Sequence, residues 1–139
     1  MKLSRRDALA LALGGAAAAM LPARAMADAA ADAIAAFTGG AATGTGGLTL
    51  TAPEIAENGN TVPIAVDAPG ATEIIVLATG NPTPSVATFK FGPAAGSQAA
   101  STRIRLSKTQ DVIAIAKMPD GSFVQASSTV KVTIGGCGG

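Results

Sequence analysis

The only cysteine in the 139 residues is Cys137, and it stands in the run Gly135-Gly136-Cys137-Gly138-Gly139. A cysteine can be a buried small hydrophobe, a disulfide partner, a metal ligand, a nucleophile or a covalent handle. Burial is the common fate of an isolated cysteine, but the residues on either side of this one have no side chains to bury it with. The four glycines predict a flexible, exposed arm, because each visits positive φ freely. At about 3.3–3.6 Å per residue, the stretch from Gly135 to Cys137 lets the sulfur range on the order of 10 Å from the domain. An arm without side chains is also thin enough to enter a narrow channel.

The rest of the composition removes most chemistries for that thiol. The chain has no histidine, no tyrosine and no tryptophan, so no imidazole can act as a base for a nucleophilic cysteine. A flexible arm is also a poor mount for catalysis, which needs a nucleophile held rigidly. With one cysteine there is no internal disulfide, and no histidine–cysteine set exists for a metal or haem, so neither a metal site nor a cofactor is expected. A lipoprotein cysteine would follow a signal directly. A terminal Gly-Gly activated at its carboxylate would need nucleotide and a cytosolic setting. Two readings stay open: a non-enzymatic substrate tether that takes covalent cargo to several enzymes, and a structural interaction module joined to a partner by an interchain disulfide. Heterogeneous, reducible adducts mark the first; a uniform bridge needed for folding marks the second.

The N-terminus says where such an arm would work. Met1-Lys2-Leu3-Ser4-Arg5-Arg6-Asp7 is basic, Ala8 to Leu21 is apolar, and Pro22-Ala23-Arg24-Ala25-Met26-Ala27 ends in an A-x-A pattern. That order predicts a cleaved export signal over residues 1–27, cut after Ala27 or alternatively after Ala25. The apolar run falls short of the roughly 20 residues of a membrane span, so no anchor is expected. Arg5-Arg6 before a weakly hydrophobic run points to the twin-arginine route and a periplasmic destination. That route carries folded proteins. Without cofactor ligands, the reason to fold first would be a partner exported as part of the same complex.

Cleavage would remove Lys2, Arg5, Arg6, Arg24 and Asp7, turning the net charge of +1 into about −2. Such a balance gives no support to nucleic-acid binding. The remaining charge is uneven. Acidic residues from Asp28 to Glu73 precede every basic one, and Lys90, Arg103, Arg105, Lys108, Lys117 and Lys131 dominate the second half. Ordinary surface charge accounts for this; an electrostatic docking face is the alternative.

The elements that must carry the arm follow from periodicity. Residues 28–47 predict a short alanine-rich helix over 28–37, with Ile34 and Phe37 packing one side onto the domain, and then a glycine-rich loop without regular structure. Residues 48–134 predict about seven short strands, at 48–51, 62–66, 72–79, 86–91, 102–106, 111–118 and 123–134, separated by turn residues. Pro63 marks the second as an edge strand, and 72–79 is apolar enough to be central. Pro119-Asp120-Gly121 is a hairpin turn. Val130, Val132 and Ile134 are expected to share one face. This spacing predicts an all-β, immunoglobulin-like antiparallel sandwich, with a small barrel as the alternative.

The twin-arginine leader, the alanine-rich helix, the sandwich and above all Gly135-Gly136-Cys137-Gly138-Gly139 together resemble the SoxY family, the sulfur-carrier subunits of the bacterial thiosulfate-oxidising Sox system. The resemblance covers the whole chain, and its specific part is the pentapeptide. It implies that Cys137 carries the intermediates of thiosulfate oxidation and that Gly135, Gly136, Gly138 and Gly139 form the arm. It implies service by a c-type cytochrome, a sulfate thiohydrolase and a sulfur dehydrogenase, with a persulfide among the intermediates. It implies a heterodimer with SoxZ, a β-sandwich subunit lacking its own signal, and no cofactor beyond the covalent sulfur. An exposed thiol titrates near about 8.5, so only a few per cent is thiolate at neutral pH and activation falls to the partner enzymes. A single exposed thiol also predicts disulfide dimers through Cys137 on oxidation.

Overall fold

The computed structural model describes residues 22–135, with side chains from residue 29 onward. The leader motifs up to residue 21, and Gly136, Cys137, Gly138 and Gly139, lie outside the described residues. Among the described residues one helix, α1 (Pro22–Thr38), precedes nine strands: β1 (Thr43–Gly44), β2 (Thr49–Thr51), β3 (Ile55–Ala56), β4 (Val62–Asp67), β5 (Glu73–Ala78), β6 (Ser85–Lys90), β7 (Ala99–Ile104), β8 (Gln110–Lys117) and β9 (Phe123–Val132). They form a six-stranded sheet, β1-β9-β8-β5-β6 with β3 also on β9, and a three-stranded sheet, β2-β4-β7. The two sheets face each other across one core, so the fold is the expected β-sandwich and not a barrel.

Alternation builds that core. Val62, Ile64 and Val66 of β4 point inward against Ile74, Val76 and Ala78 of β5 and Val112, Ala114 and Ala116 of β8. The other face of β5 and β8 is covered too. Ile75, Leu77, Ile113 and Ile115 turn toward α1, where Ala33, Ile34 and Phe37 meet them with Phe123. Burial on both faces is why 72–79 reads as a nearly continuous apolar run. The rings of Phe37 and Phe123 meet edge to face, centroids 5.5 Å apart and planes at 68°, the arrangement that the ring quadrupoles favour.

Several expectations need correction. The helix begins at Pro22, inside the segment expected to be removed, because proline suits a first helical turn and no breaker separates it from the alanine run. It stops at Gly39 and Gly40, which take positive φ of 65° and 85°. The glycine-rich loop does hold an element: Thr43 and Gly44 pair in parallel with Phe123 and Val124, helped by Thr43 Oγ1 lying 3.0 Å from Gln125 Oε1. Ile55–Ala56 likewise pairs in parallel with Lys131 and Val132, so the otherwise antiparallel sandwich has two short parallel edges. β4 is the middle strand of its sheet, not an edge. Its partner β2 stops at Thr51 opposite Ala65, so Pro63 has a neighbour only in Arg103 of β7, and its missing N–H can face the side with no strand. Ile134 leaves the face of Val130 and Val132: it lies past the end of β9 and is 67% exposed.

The β8–β9 hairpin closes as expected. Gly121 takes φ 85°, and Ser122 donates its N–H and hydroxyl to Asp120 at 2.9 and 2.6 Å. Those two bonds hold the Asp120 carboxyl below the usual carboxylate range.

Candidate functional site

Cys137 lies outside the described residues, so the site is built from the base that launches it. Past the end of β9 at Val132 the chain runs on through Thr133 and Ile134 to Gly135, and the fold grips it on both sides. On one side, Lys131 and Thr133 donate their N–H groups to Glu54 and Ala56 at 2.9 and 3.0 Å, and Thr133 Oγ1 donates to the Glu57 carbonyl at 3.0 Å. Gly59, in the Glu57–Asn60 turn, donates to the Ile134 carbonyl at 2.7 Å and accepts from Leu106 N–H at 2.8 Å. One glycine therefore ties the end of β9 to the loop that follows β7.

On the other side stands that loop. A Cβ on Gly135 would run into the carbonyl oxygen of Ser107. Only a residue without a side chain lets the backbone come this close. The expected arm of residues 135–139 thus has its first residue already against the domain.

The Ser107 loop is rigidified from beneath by Asn81, which is 1% exposed. Its Nδ2 donates to the Arg105 carbonyl at 2.7 Å. Its Oδ1 accepts from Ser107 N–H at 3.0 Å and from Gln110 Nε2 at 2.9 Å. The Ser107 hydroxyl lies 3.2 Å from both Asn81 Oδ1 and the Gly80 carbonyl. Gln110 closes the network by accepting from Gly80 N–H at 2.8 Å and donating to the Lys108 carbonyl at 2.9 Å. Among the described residues no buried polar side-chain atom lacks a partner, so the network stiffens the loop without an unmet desolvation cost. In the sequence, Asn81-Pro82-Thr83-Pro84 is no more than a proline-rich break between two strand-like runs. Nothing local says that its asparagine is buried beneath a loop some 25 residues downstream.

Among the described residues no three of His, Cys, Asp and Glu come together as a metal site, and no helix is long and apolar enough to cross a membrane. What the arrangement supplies is a fixed point of departure for a short segment carrying one thiol.

Comparison with known proteins gives this arrangement its context. Residues 34–137 match the family model described as sulfur oxidation protein SoxY, a span that reaches Cys137. Among solved structures, the sulfur carrier protein SoxY from Chlorobium limicola f thiosulfatophilum is 38% identical with a TM-score of 0.65, covering 74% of this chain and 94% of its own. A superoxide reductase (neelaredoxin) from Ignicoccus hospitalis superposes with a TM-score of 0.55 at 18% identity, over 66% of this chain and 82% of its own; that likeness is one of fold alone. No curated protein sequence matches.

Proposed function

This chain belongs to the SoxY family of sulfur oxidation proteins, and we infer from that membership that it is a sulfur carrier in sulfur oxidation. We propose further that Cys137 is the residue that holds the sulfur. The observation that carries this is the family match, which runs to Cys137, the only thiol in the chain. The geometry supports it: the segment that leads to Cys137 is braced up to Gly135, two residues before the cysteine.

The chemistry then follows from the thiol. Thiosulfate is joined to Sγ with loss of the thiol proton, and two electrons leave to a c-type cytochrome, giving Sγ–S–SO3−. A sulfate thiohydrolase adds water and releases sulfate, leaving the persulfide. A sulfur dehydrogenase oxidises the outer sulfur to a sulfonate with oxygen from water, withdrawing six electrons. A second hydrolysis releases sulfate and restores the thiol. The chain contributes no base, acid or metal to these steps. Its part is non-enzymatic: to hold the sulfur and present it, with the covalent adduct taking the place of a cofactor. The remaining elements of this reading are export by the twin-arginine route, a periplasmic location and a heterodimer with a SoxZ-like sandwich subunit. Arg5-Arg6, the A-x-A pattern before Asp28 and the lack of cofactor ligands support them.

The test is the intact mass of the protein isolated from cells grown on thiosulfate, before and after reduction. Reducible additions of sulfur, sulfonate or thiosulfonate mass on the C-terminal peptide are expected, together with loss of thiosulfate oxidation in Cys137→Ser. Retained oxidation in that variant would overturn the assignment.

A further inference from the structure

The chain has three asparagines, Asn58, Asn60 and Asn81, and the carrier chemistry uses none of them. An asparagine can lose its side-chain amide to attack by the backbone nitrogen of the next residue, one reason the residue is thermolabile. A following glycine favours that attack, since it has no Cβ to shield the nitrogen. Asn81 is barred from the reaction, because Pro82 has no N–H proton to give up. Asn60 precedes Thr61, whose branched Cβ crowds the nitrogen. Asn58 precedes Gly59 and is exposed to the water that the reaction needs. Asp120 before Gly121 is no equivalent: two bonds from Ser122 keep its carboxyl ionised, and a carboxylate accepts a nucleophile poorly.

The turn prepares one reactant and withholds the other. Asn60 donates its N–H to Asn58 Oδ1 at 3.0 Å. That donor sits where negative charge gathers on the amide oxygen as its carbon is attacked, so it favours the step. The nucleophile is engaged elsewhere. Gly59 is buried, and its N–H donates to the Ile134 carbonyl at 2.7 Å. The attacking species is the deprotonated nitrogen, and this short bond keeps the proton on it and fixes the peptide plane. The Gly59 carbonyl, which accepts from Leu106 N–H at 2.8 Å, pins the residue from its other end.

We propose that Asn58 is a modification site, converted to isoaspartate through a succinimide, and that the Gly59–Ile134 bond is its latch. The Gly59 nitrogen gives up its proton and bonds to Asn58 Cγ; the Cγ–Nδ2 bond breaks, and the side-chain nitrogen takes up a proton and leaves as ammonia. Water then opens the ring, mostly at the backbone carbonyl of Asn58, so that the chain runs on through Cγ. No electrons change hands. The product has an extra atom in its backbone and a carboxylate in place of a neutral amide, next to Glu57. Gly59 can then no longer meet both Ile134 and Leu106, so a modified molecule loses the tie between its chain end and the loop after β7. Conversion proceeds only while the tie is open. Its extent therefore records how long a molecule has spent with residues 134 and 135 released, whatever the role of Cys137.

The experiment ages the purified full chain at mildly alkaline pH and follows ammonia release together with isoaspartate in the peptide around Asn58. Folded protein should convert about tenfold or more slowly than the same chain in guanidinium chloride, since only the open fraction reacts; this comparison needs no variant. Gly135→Ala, whose Cβ would strike the Ser107 carbonyl and loosen the tie, should convert roughly five- to tenfold faster than the unaltered chain. Gly92→Ala should convert at the unaltered rate, and Asn58→Ser should give no isoaspartate in that peptide. Equal rates in the folded and denatured chain would overturn the latch, as would equal rates in Gly135→Ala and Gly92→Ala. Isoaspartate arising first at Asn60 or Asp120 would overturn the site. In the modified fraction, separated by its added negative charge, the Leu106 amide should exchange with solvent several-fold faster while that of Val76 in the core stays unchanged. Unaltered exchange at Leu106 would show that the modification does not break the tie, and would overturn that part of the proposal.

Discussion

Gly135 and Gly92 look alike in the sequence and differ entirely in the fold. A Cβ on Gly92 would meet nothing within 4 Å, whereas one on Gly135 would strike the Ser107 carbonyl. Gly135→Ala should therefore push the end of β9 off the loop and weaken the bond from Gly59 N–H to the Ile134 carbonyl. Such a bond contributes on the order of 1 kcal/mol, so the Gly59 amide should exchange with solvent roughly five- to tenfold faster. Gly92→Ala should leave that rate unchanged, and the global unfolding midpoint should hardly move in either variant, because Gly135 follows the last strand. Unchanged protection of Gly59 in Gly135→Ala would show that the base is not gripped. Asn81 teaches the companion lesson. A polar side chain 1% exposed is tolerated only because each of its hydrogen-bonding groups is met, and those bonds all serve the loop on which Gly135 rests.

At the scale of elements, the helix is secured by residues on the far side of the expected cleavage point. Ala33, Ile34 and Phe37 all follow Ala27, so removal of residues 1–27 would shorten α1 without touching their contacts with Leu77, Ile115 and Phe123. Phe37 is half-buried and pairs with Phe123; Phe37→Ala should cost about 2 kcal/mol, less than a fully buried ring, read as a lower urea midpoint with an unchanged slope. No loss would mean that α1 does not share the core's cooperativity. The seven longer strands were legible because alternation and turn residues are local signals, as in Asp111 to Met118 before Pro119-Asp120-Gly121. β1 and β3 were not, because two residues have no period and both owe their existence to β9, some 75 or more residues away in the chain. Pro63 misled for a related reason: its neighbour on one side is set by how far β2 extends, which the proline itself does not encode. At the site, the cysteine and its glycines stood out by composition alone. The loop that holds Gly135 did not, since its parts come from residues 59, 81 and 107 and meet only in the folded chain.

For the whole molecule, the sandwich and the thiol are joined through a single point, and that separates the carrier from a disulfide-linked module. Among the described residues the last contact with the domain lies at Gly135, two residues before Cys137. A bridge between two copies of Cys137 would join two separate chains. It would close no loop within either domain and so take little conformational freedom from either unfolded chain, the main route by which a crosslink stabilises. Mild oxidation of the purified protein should yield a dimer that reductant returns to monomer and that Cys137→Ser cannot form. The dimer and the reduced monomer should melt within about 2 °C of each other, since a difference of 1 kcal/mol would shift a domain of this size by roughly 4 °C or more. The same sandwich core, including Ile74, Val76, Val112 and Val130, determines both transitions. A bridge that is part of the architecture predicts otherwise: the reduced chain would melt many degrees lower, and a uniform bridged form would be isolated under every growth condition. Equal melting of the two forms is thus what a carrier requires, because its thiol must be freed and reloaded in every cycle without disturbing the domain that bears it.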